Sequence, residues 1–188
     1  MAHPQVKQLQ QLNLIIYEKV RKYRPKSIAV FGAGTGNGFE HFNDCESIYA
    51  IDINPEYLQI CQARYNRYKT LLKSILADVG RDKLPIAKSS VDLVICHLIL
   101  EYTDVTKTMR AINKILKKGG IVSVVIQDNG TSSFVSPTAI SSLSPLSNFA
   151  AQVAEESIMS SNSLVILGYE EYNLINGKVF KSYDLIKS

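Results

Sequence analysis

Five short apolar runs bounded by glycine or polar residues constrain this chain more than any other feature. "SIAVFG", "SIYAIDI", "KSILAD", "VDLVICHL" and "IVSVVIQ" follow one another and read as buried strands. Segments of helical character stand around them. "VKQLQQLNLIIYEKVRKY" repeats apolar residues at Leu9, Leu12, Ile15, Ile16 and Val20, and Pro25 ends that helix. "GNGFEHFN" is predicted to open a helix after the first strand. "NPEYLQICQARYNRY" has Asn54 as N-cap and Pro55 at the first helical position. "DVTKTMRAINKILKKGG" is predicted to stay helical as far as Gly119. Such alternation implies a parallel sheet with helices on both faces. The end of the chain, "LVILGYEEYNLINGKVFKSYDLIK", reads as two strands around Asn176-Gly177, so the C-terminal edge is expected to be antiparallel.

The chain has 188 residues, 46% hydrophobic and 20% charged, which suits one domain over 1–188 with a full core. No apolar run approaches the roughly 18 residues of a membrane span, and "MAHPQVKQLQQLN" lacks the regions of a secretory signal. Cys45, Cys61 and Cys96 are widely spaced and odd in number, which fits a reducing cytosol. His3, His41 and His97 make no ligand pair, so no metal site is expected. The net charge is +4, and the stretch between Gly119 and Gly177 holds no Lys or Arg. The cations of "EKVRKYRPK" read as the end of a surface helix, with a nucleic-acid patch as the rival reading.

The first strand breaks into "GAGTGNG". Glycines at 32, 34 and 36 let the backbone turn sharply and approach a ligand, although a tight turn alone also needs them. A dinucleotide fingerprint requires a third glycine where Asn37 stands. A phosphate-binding P-loop is excluded too, because no G-K-[ST] follows. Asp52 ends the second strand 20 positions after Gly32, where a carboxylate can accept both hydroxyl protons of a ribose or merely cap a helix. Asp78 ends the third strand, where its carboxylate can accept from an adenine amine while the Val79 N–H donates to a ring nitrogen; turn chemistry is the alternative.

These residues together resemble the class I S-adenosylmethionine-dependent methyltransferases over nearly the whole chain. "IAVFGAGTG" looks like the family's glycine motif and "IYAIDINPEYLQICQAR" like its ribose-binding segment. "LADVGRDKLPIAKSSVDLVICHLILEY" and "INKILKKGGIVSVVIQ" are similar to the segments that follow, with Lys118 in place of a proline. The resemblance implies a Rossmann-like three-layer sandwich, with a seven-stranded mostly parallel sheet in the order 3-2-1-4-5-7-6. It also implies S-adenosylmethionine as cofactor and S-adenosylhomocysteine as product. The residues implied to hold it are Gly32, Ala33, Gly34, Gly36, Asp52, Ile53, Asp78, Val79, Cys96 and His97. Many members carry an acid two positions before the first glycine; here that residue is Val30.

Methyl transfer from a sulfonium needs alignment above all, and a base only if the nucleophile holds a proton. The segment "CHLILEY" shows neither the N-P-P-[YF] sequence of base-amine methylation nor a Pro-Cys nucleophile. Cys96 therefore reads as a wall residue, His97 as the candidate general base or a wall histidine, and Glu101 and Tyr102 as groups placed to reach a substrate. Residues 129–163, with Phe134, Phe149 and Met159 and no cation, read as a lid or packing segment suited to a neutral small molecule. The first reading is thus a cytoplasmic methyltransferase of small molecules. An RNA or protein methyltransferase rests on Lys19 to Lys26, Arg64, Arg67, Lys69 and Lys73, and a non-catalytic relative rests on Val30. A nicotinamide oxidoreductase is disfavoured by Asn37, and a homodimer is left open.

Overall fold

The computed structural model describes residues 4–128, Ile158, 163–175 and 177–188. These residues build a seven-stranded sheet in the order β3-β2-β1-β4-β5-β7-β6. The strands are β1 (Ser27–Phe31), β2 (Ser47–Asp52), β3 (Leu72–Leu76), β4 (Val91–His97), β5 (Leu116–Asp128), β6 (Leu164–Asn173) and β7 (Val179–Lys187). The first five pair in parallel, and β7 runs antiparallel to β5 and β6. Fold class and strand order are those the resemblance implied.

Every residue of β1 is buried, as expected of a central parallel strand covered on both faces. On one face α1 (Pro4–Tyr23) and α2 (Pro55–Arg64) bring Ile16, Leu58 and Cys61 onto Ile28, Val30, Leu93 and Ile95. On the other, α3 (Val105–Ile115) lays Met109, Ile112 and Ile115 against Phe31, Val94 and Cys96. Asn54 caps α2 through its side-chain oxygen, with Pro55 at the first helical position. Among the described residues no helix is long and apolar enough to cross a membrane.

Three expectations need correction. The helix predicted after the glycine loop is only a 3-10 turn, Phe39–His41. Gly36 and Gly38 adopt φ of +86° and +83°, and left-handed residues cannot lie inside an α-helix. Second, α3 ends at Ile115 rather than at Gly119, because Leu116 is already extended, at φ −62° and ψ 136°. Leu116 pairs with Val91 and Ile121 with Leu93. The residues between form a bulge in which Gly119 takes φ +75°. Third, the cationic end of α1 is not all surface. Lys19 is 4% exposed, and its Nζ lies 3.1 Å from the buried Asp184 Oδ2 and 3.3 Å from Glu170 Oε2. Lys22 Nζ and the Tyr23 hydroxyl donate to the same Asp184 oxygen at 3.3 and 2.5 Å, tying α1 to β7.

The C-terminal strands are joined by residues 174–178, with Gly177 at φ +78°. Asn176 lies outside the described residues, as does the segment 129–163 apart from Ile158 and Ser163. The lid or packing role, the helix "LSNFAAQVAEESIM", Phe134, Phe149 and Met159 therefore lie outside them too. Ile158 is buried in the core on the α3 side.

Candidate functional site

Strand register sets one edge of the sheet level. Phe31 pairs with both Ile51 and Cys96, Asp52 with Leu76, and His97 with Val125. The residues leaving these strands, Gly32, Ile53, Ala77 and Leu98, therefore emerge side by side. The winding reverses between β1 and β4, and a crevice beyond the strand ends is the ligand position in such sheets.

The glycine loop lies across this crevice. The Ala33 N–H donates to Ile51 O at 2.9 Å, and the Gly34 N–H donates to Asp52 Oδ2 at 2.8 Å. Asp52 Oδ1 accepts from the Asn54 N–H at 2.9 Å. One carboxylate thus braces both the loop and the start of α2, and each oxygen keeps a further lone pair for a ligand donor. A Cβ added at Gly34 would meet nothing within 4 Å, so its open side faces free space next to Asp52. Gly32 is instead a packing position: a Cβ there would lie 3.0 Å from Ile99 Cδ1. Asn37, which stands where a dinucleotide loop needs glycine, donates through Nδ2 to Leu9 O at 3.0 Å and accepts from Asn13 Nδ2 at 3.2 Å. Its side chain therefore holds α1 to the loop.

Beyond β3, Asp78 Oδ1 accepts from the Gly80 N–H at 2.9 Å and Oδ2 lies 3.5 Å from Arg81 Nε. The turn chemistry weighed for Asp78 is thus present, with lone pairs to spare. Ile53 is 71% exposed at the same edge, an apolar surface on which a flat heterocycle can lie.

The end of β4 is the strained part of the edge. Leu98 has φ +52°, a conformation that costs a bulky residue about 1–2 kcal/mol, and its N–H is held by Val125 O at 2.8 Å. Cys96 is fully buried, and burial, then the charge of Glu101, push its thiol far above the usual range. His97 Nε2 lies 3.0 Å from Ser123 Oγ, and Nδ1 is buried without a partner. Burial, reinforced by Lys19, pushes the ring down to about 3, so it is neutral near pH 7.

Glu101 is 4% exposed. Its Oε1 accepts from the Gln127 N–H at 2.9 Å and its Oε2 is buried without a partner. Burial raises its carboxyl to about 7, against the opposing backbone hydrogen bonds. A raised folded-state value gives stability that is complete below the unfolded-state value, near 4.5, and lost as pH climbs to about 7. Each tenfold gain in proton affinity on folding is worth about 1.4 kcal/mol, so wild type should lose about 3 kcal/mol between pH 4.5 and 7 relative to Glu101→Gln. Urea unfolding of both proteins across that range checks it, and parallel curves would refute it.

The structure brings Gly32, Ala33, Gly34, Asp52, Ile53, Asp78, Val79, Cys96 and His97 to one edge. Gly36 faces away, toward Cys61 on α2 and Tyr65 at its C-terminal cap. Val30 is 5% exposed within the α1-side core, so β1 presents no carboxylate here. Sequence reasoning missed Ile99 as the wall behind Gly32 and the strain at Leu98; nothing in the local sequence signals either. Arg64, counted among the cations of the rival RNA or protein reading, donates through its guanidinium to Thr35 O at 3.0 Å and Thr35 Oγ1 at 3.2 Å and so clamps the loop. Among the described residues no three His, Cys, Asp or Glu converge as a metal site.

The family model described as a methyltransferase domain matches residues 30–124. Several solved structures share the fold. Geranyl diphosphate C-methyltransferase from Streptomyces coelicolor A3(2) is 11% identical, with a TM-score of 0.72 over 95% of this chain and 82% of that one. The [4+2]-cyclase SpnF is 15% identical, with a TM-score of 0.72 over 94% of this chain and 80% of its own. MccD protein is 14% identical, with a TM-score of 0.68 over 93% of this chain and 96% of its own. No curated protein matches at the sequence level.

Proposed function

Because this chain belongs to the methyltransferase domain family, we propose that it is a single-domain enzyme that transfers a methyl group from S-adenosylmethionine to a small molecule. The observation that carries the reading is the Asp52 brace. It holds Gly34 at the sheet edge with its open side toward free space and keeps carboxylate lone pairs for a ribose. Around it, Ile53 offers an exposed apolar surface for the adenine ring. Asp78 and the Val79 N–H stand at the turn where the ring's polar edge would be read, and Ala33, Cys96 and His97 would line the methionine end. When bound, the cofactor supplies a methyl carbon already activated by positive sulfur. The chain's own work is then to orient the acceptor, exclude water and receive a proton where one is released.

Small molecules are favoured over nucleic acid because several of the cations that suggested nucleic acid are engaged within the chain. Lys19 and Lys22 pair with Asp184, Arg64 with Thr35, and Arg67 with Glu40 O and Tyr68. Titratable thiols free and buried at Cys45, Cys61 and Cys96 suit the cytosol. A second reading, cofactor binding without methyl transfer, draws on the apolar Val30 and on the cyclase that shares this fold.

Calorimetric titration with S-adenosylhomocysteine tests the first reading, which falls if nothing binds. Asp52→Ala should weaken binding by about 1–3 kcal/mol, the usual loss of hydrogen bonds to a charged group. Asp52→Asn, which keeps a carbonyl acceptor, should lose less. Equal affinity in all three proteins would remove Asp52 from ribose binding.

A further inference from the structure

Two buried polar atoms at the end of β4 lack partners: His97 Nδ1 and Glu101 Oε2. Buried polar atoms without a partner are few in native proteins and call for an explanation, a catalytic role among them. They differ in what they can do. The His97 ring is held neutral by burial and by Lys19, so its surroundings oppose its taking up a proton. Glu101 is different. Its Oε1 accepts from the Gln127 N–H at 2.9 Å, which ties the carboxyl just past the end of β4 to the end of β5, while Oε2 is buried and unpartnered. The groups that face it among the described residues are the Cys96 thiol, the Tyr102 phenol, the Gln127 amide and its own backbone N–H, none of them a cation. Leu98, three residues before Glu101, holds a strained φ of +52°, and stored backbone strain clusters at working sites.

We propose that Glu101 is the proton acceptor of the transfer and that the acceptor substrate is a hydroxyl compound, a step that rests on the methyl-transfer reading above. An amine presents its lone pair once it has released a proton to water, before it enters the site. A hydroxyl keeps its proton until the bond forms and needs a base beside it. In the step, the acceptor oxygen forms the new O–C bond as the S–C electron pair returns to sulfur, which becomes a neutral thioether. The hydroxyl proton passes to Glu101 Oε2, which releases it to water when product leaves. A carboxyl whose raised affinity for protons lies close to the working pH matches this role.

Glu101→Gln separates catalysis from tethering, because the amide oxygen still accepts from Gln127. Three measurements on the full chain are decisive. S-adenosylhomocysteine affinity should be equal in wild type and variant; absence of binding to wild type would sink the methyl-transfer reading rather than this one. Carbon-13 NMR of the Glu101 carboxyl, with S-adenosylhomocysteine bound, should show one titration near neutral pH; a carboxyl still protonated at pH 9 overturns the proposal without any acceptor being needed. Finally, transfer from labelled S-adenosylmethionine to phenols graded in acidity should fall about a hundredfold or more in the variant for the least acidic phenol, and by less as the phenol ionises unaided. A loss independent of phenol acidity, an unchanged rate, or labelling of amines with phenols untouched would overturn it.

Discussion

Asp184→Ala should cost about 3–5 kcal/mol of stability, the range found when one partner of a buried ion pair is removed. Asp184 is 1% exposed, and one of its oxygens accepts from Lys19, Lys22 and Tyr23. Without the carboxylate, the Lys19 ammonium stays buried, and its remaining carboxylate partner among the described residues is Glu170, whose side chain is 56% exposed. In a chain of this length each kcal/mol moves the melting point by about 2–4 °C, so a fall of about 10 °C is expected by calorimetry. Lys22→Ala is the internal control. Its side chain is 54% exposed, so its loss should cost no more than about 1 kcal/mol. The joint replacement Lys19→Met with Asp184→Leu should recover most of the Asp184→Ala loss, since apolar packing can replace a buried pair. A melting point within about 2 °C of wild type for Asp184→Ala, a shift of no more than about 1 kcal/mol, would show that solvent reaches the cluster.

The same cluster shows where a sequence stops being readable. Lys19 looks like any other cation in "EKVRKYRPK", and its partner Asp184 lies 165 residues away. No local pattern links the two. The sheet was legible because its signal is local and repeated. Each apolar run is bounded by turn residues, and Asp52 stands where strand 2 must end to pair with Leu76. The glycine loop was legible in kind and not in shape. Glycine announces conformational freedom, yet only the packed structure shows that Gly36 and Gly38 spend it on left-handed turns that prevent a helix. Likewise the sequence pattern makes α3 four residues too long, because "LKKGG" continues a helical pattern that pairing of Leu116 with Val91 overrides. Asn37 disfavours a dinucleotide loop from spacing alone, and its bonds to Leu9 and Asn13 show what spacing could not, that the side chain ties the loop to α1.

Gly36→Ala and Gly34→Ala should fail in different ways, although the two residues are neighbours in one motif. A Cβ at Gly36 would lie 2.7 Å from Tyr65 Cε2 and 2.8 Å from Cys61 Sγ. Tyr65 cannot swing aside cheaply. Its hydroxyl donates to Glu40 Oε2 at 2.8 Å, and its ring packs on Phe39 and Tyr68 with centroids 5.5 and 6.1 Å away. Overpacking of this kind costs about 1–3 kcal/mol, and a φ of +86° adds about 1–2 kcal/mol for any residue with a Cβ. Gly36→Ala should therefore lose about 2–5 kcal/mol in urea unfolding. At Gly34 a Cβ meets nothing within 4 Å, so only the strain of φ +52° acts, about 1–2 kcal/mol. That Cβ would, however, stand in the open space beside Asp52, where the ribose is proposed to lie. Gly34→Ala should thus keep most of its stability and lose S-adenosylhomocysteine affinity by about tenfold or more, on the order of the 1.4 kcal/mol that one steric contact readily exceeds. If Gly34→Ala bound as tightly as wild type, the space beside Asp52 would not be the cofactor's, and the site would have to be sought elsewhere along the edge.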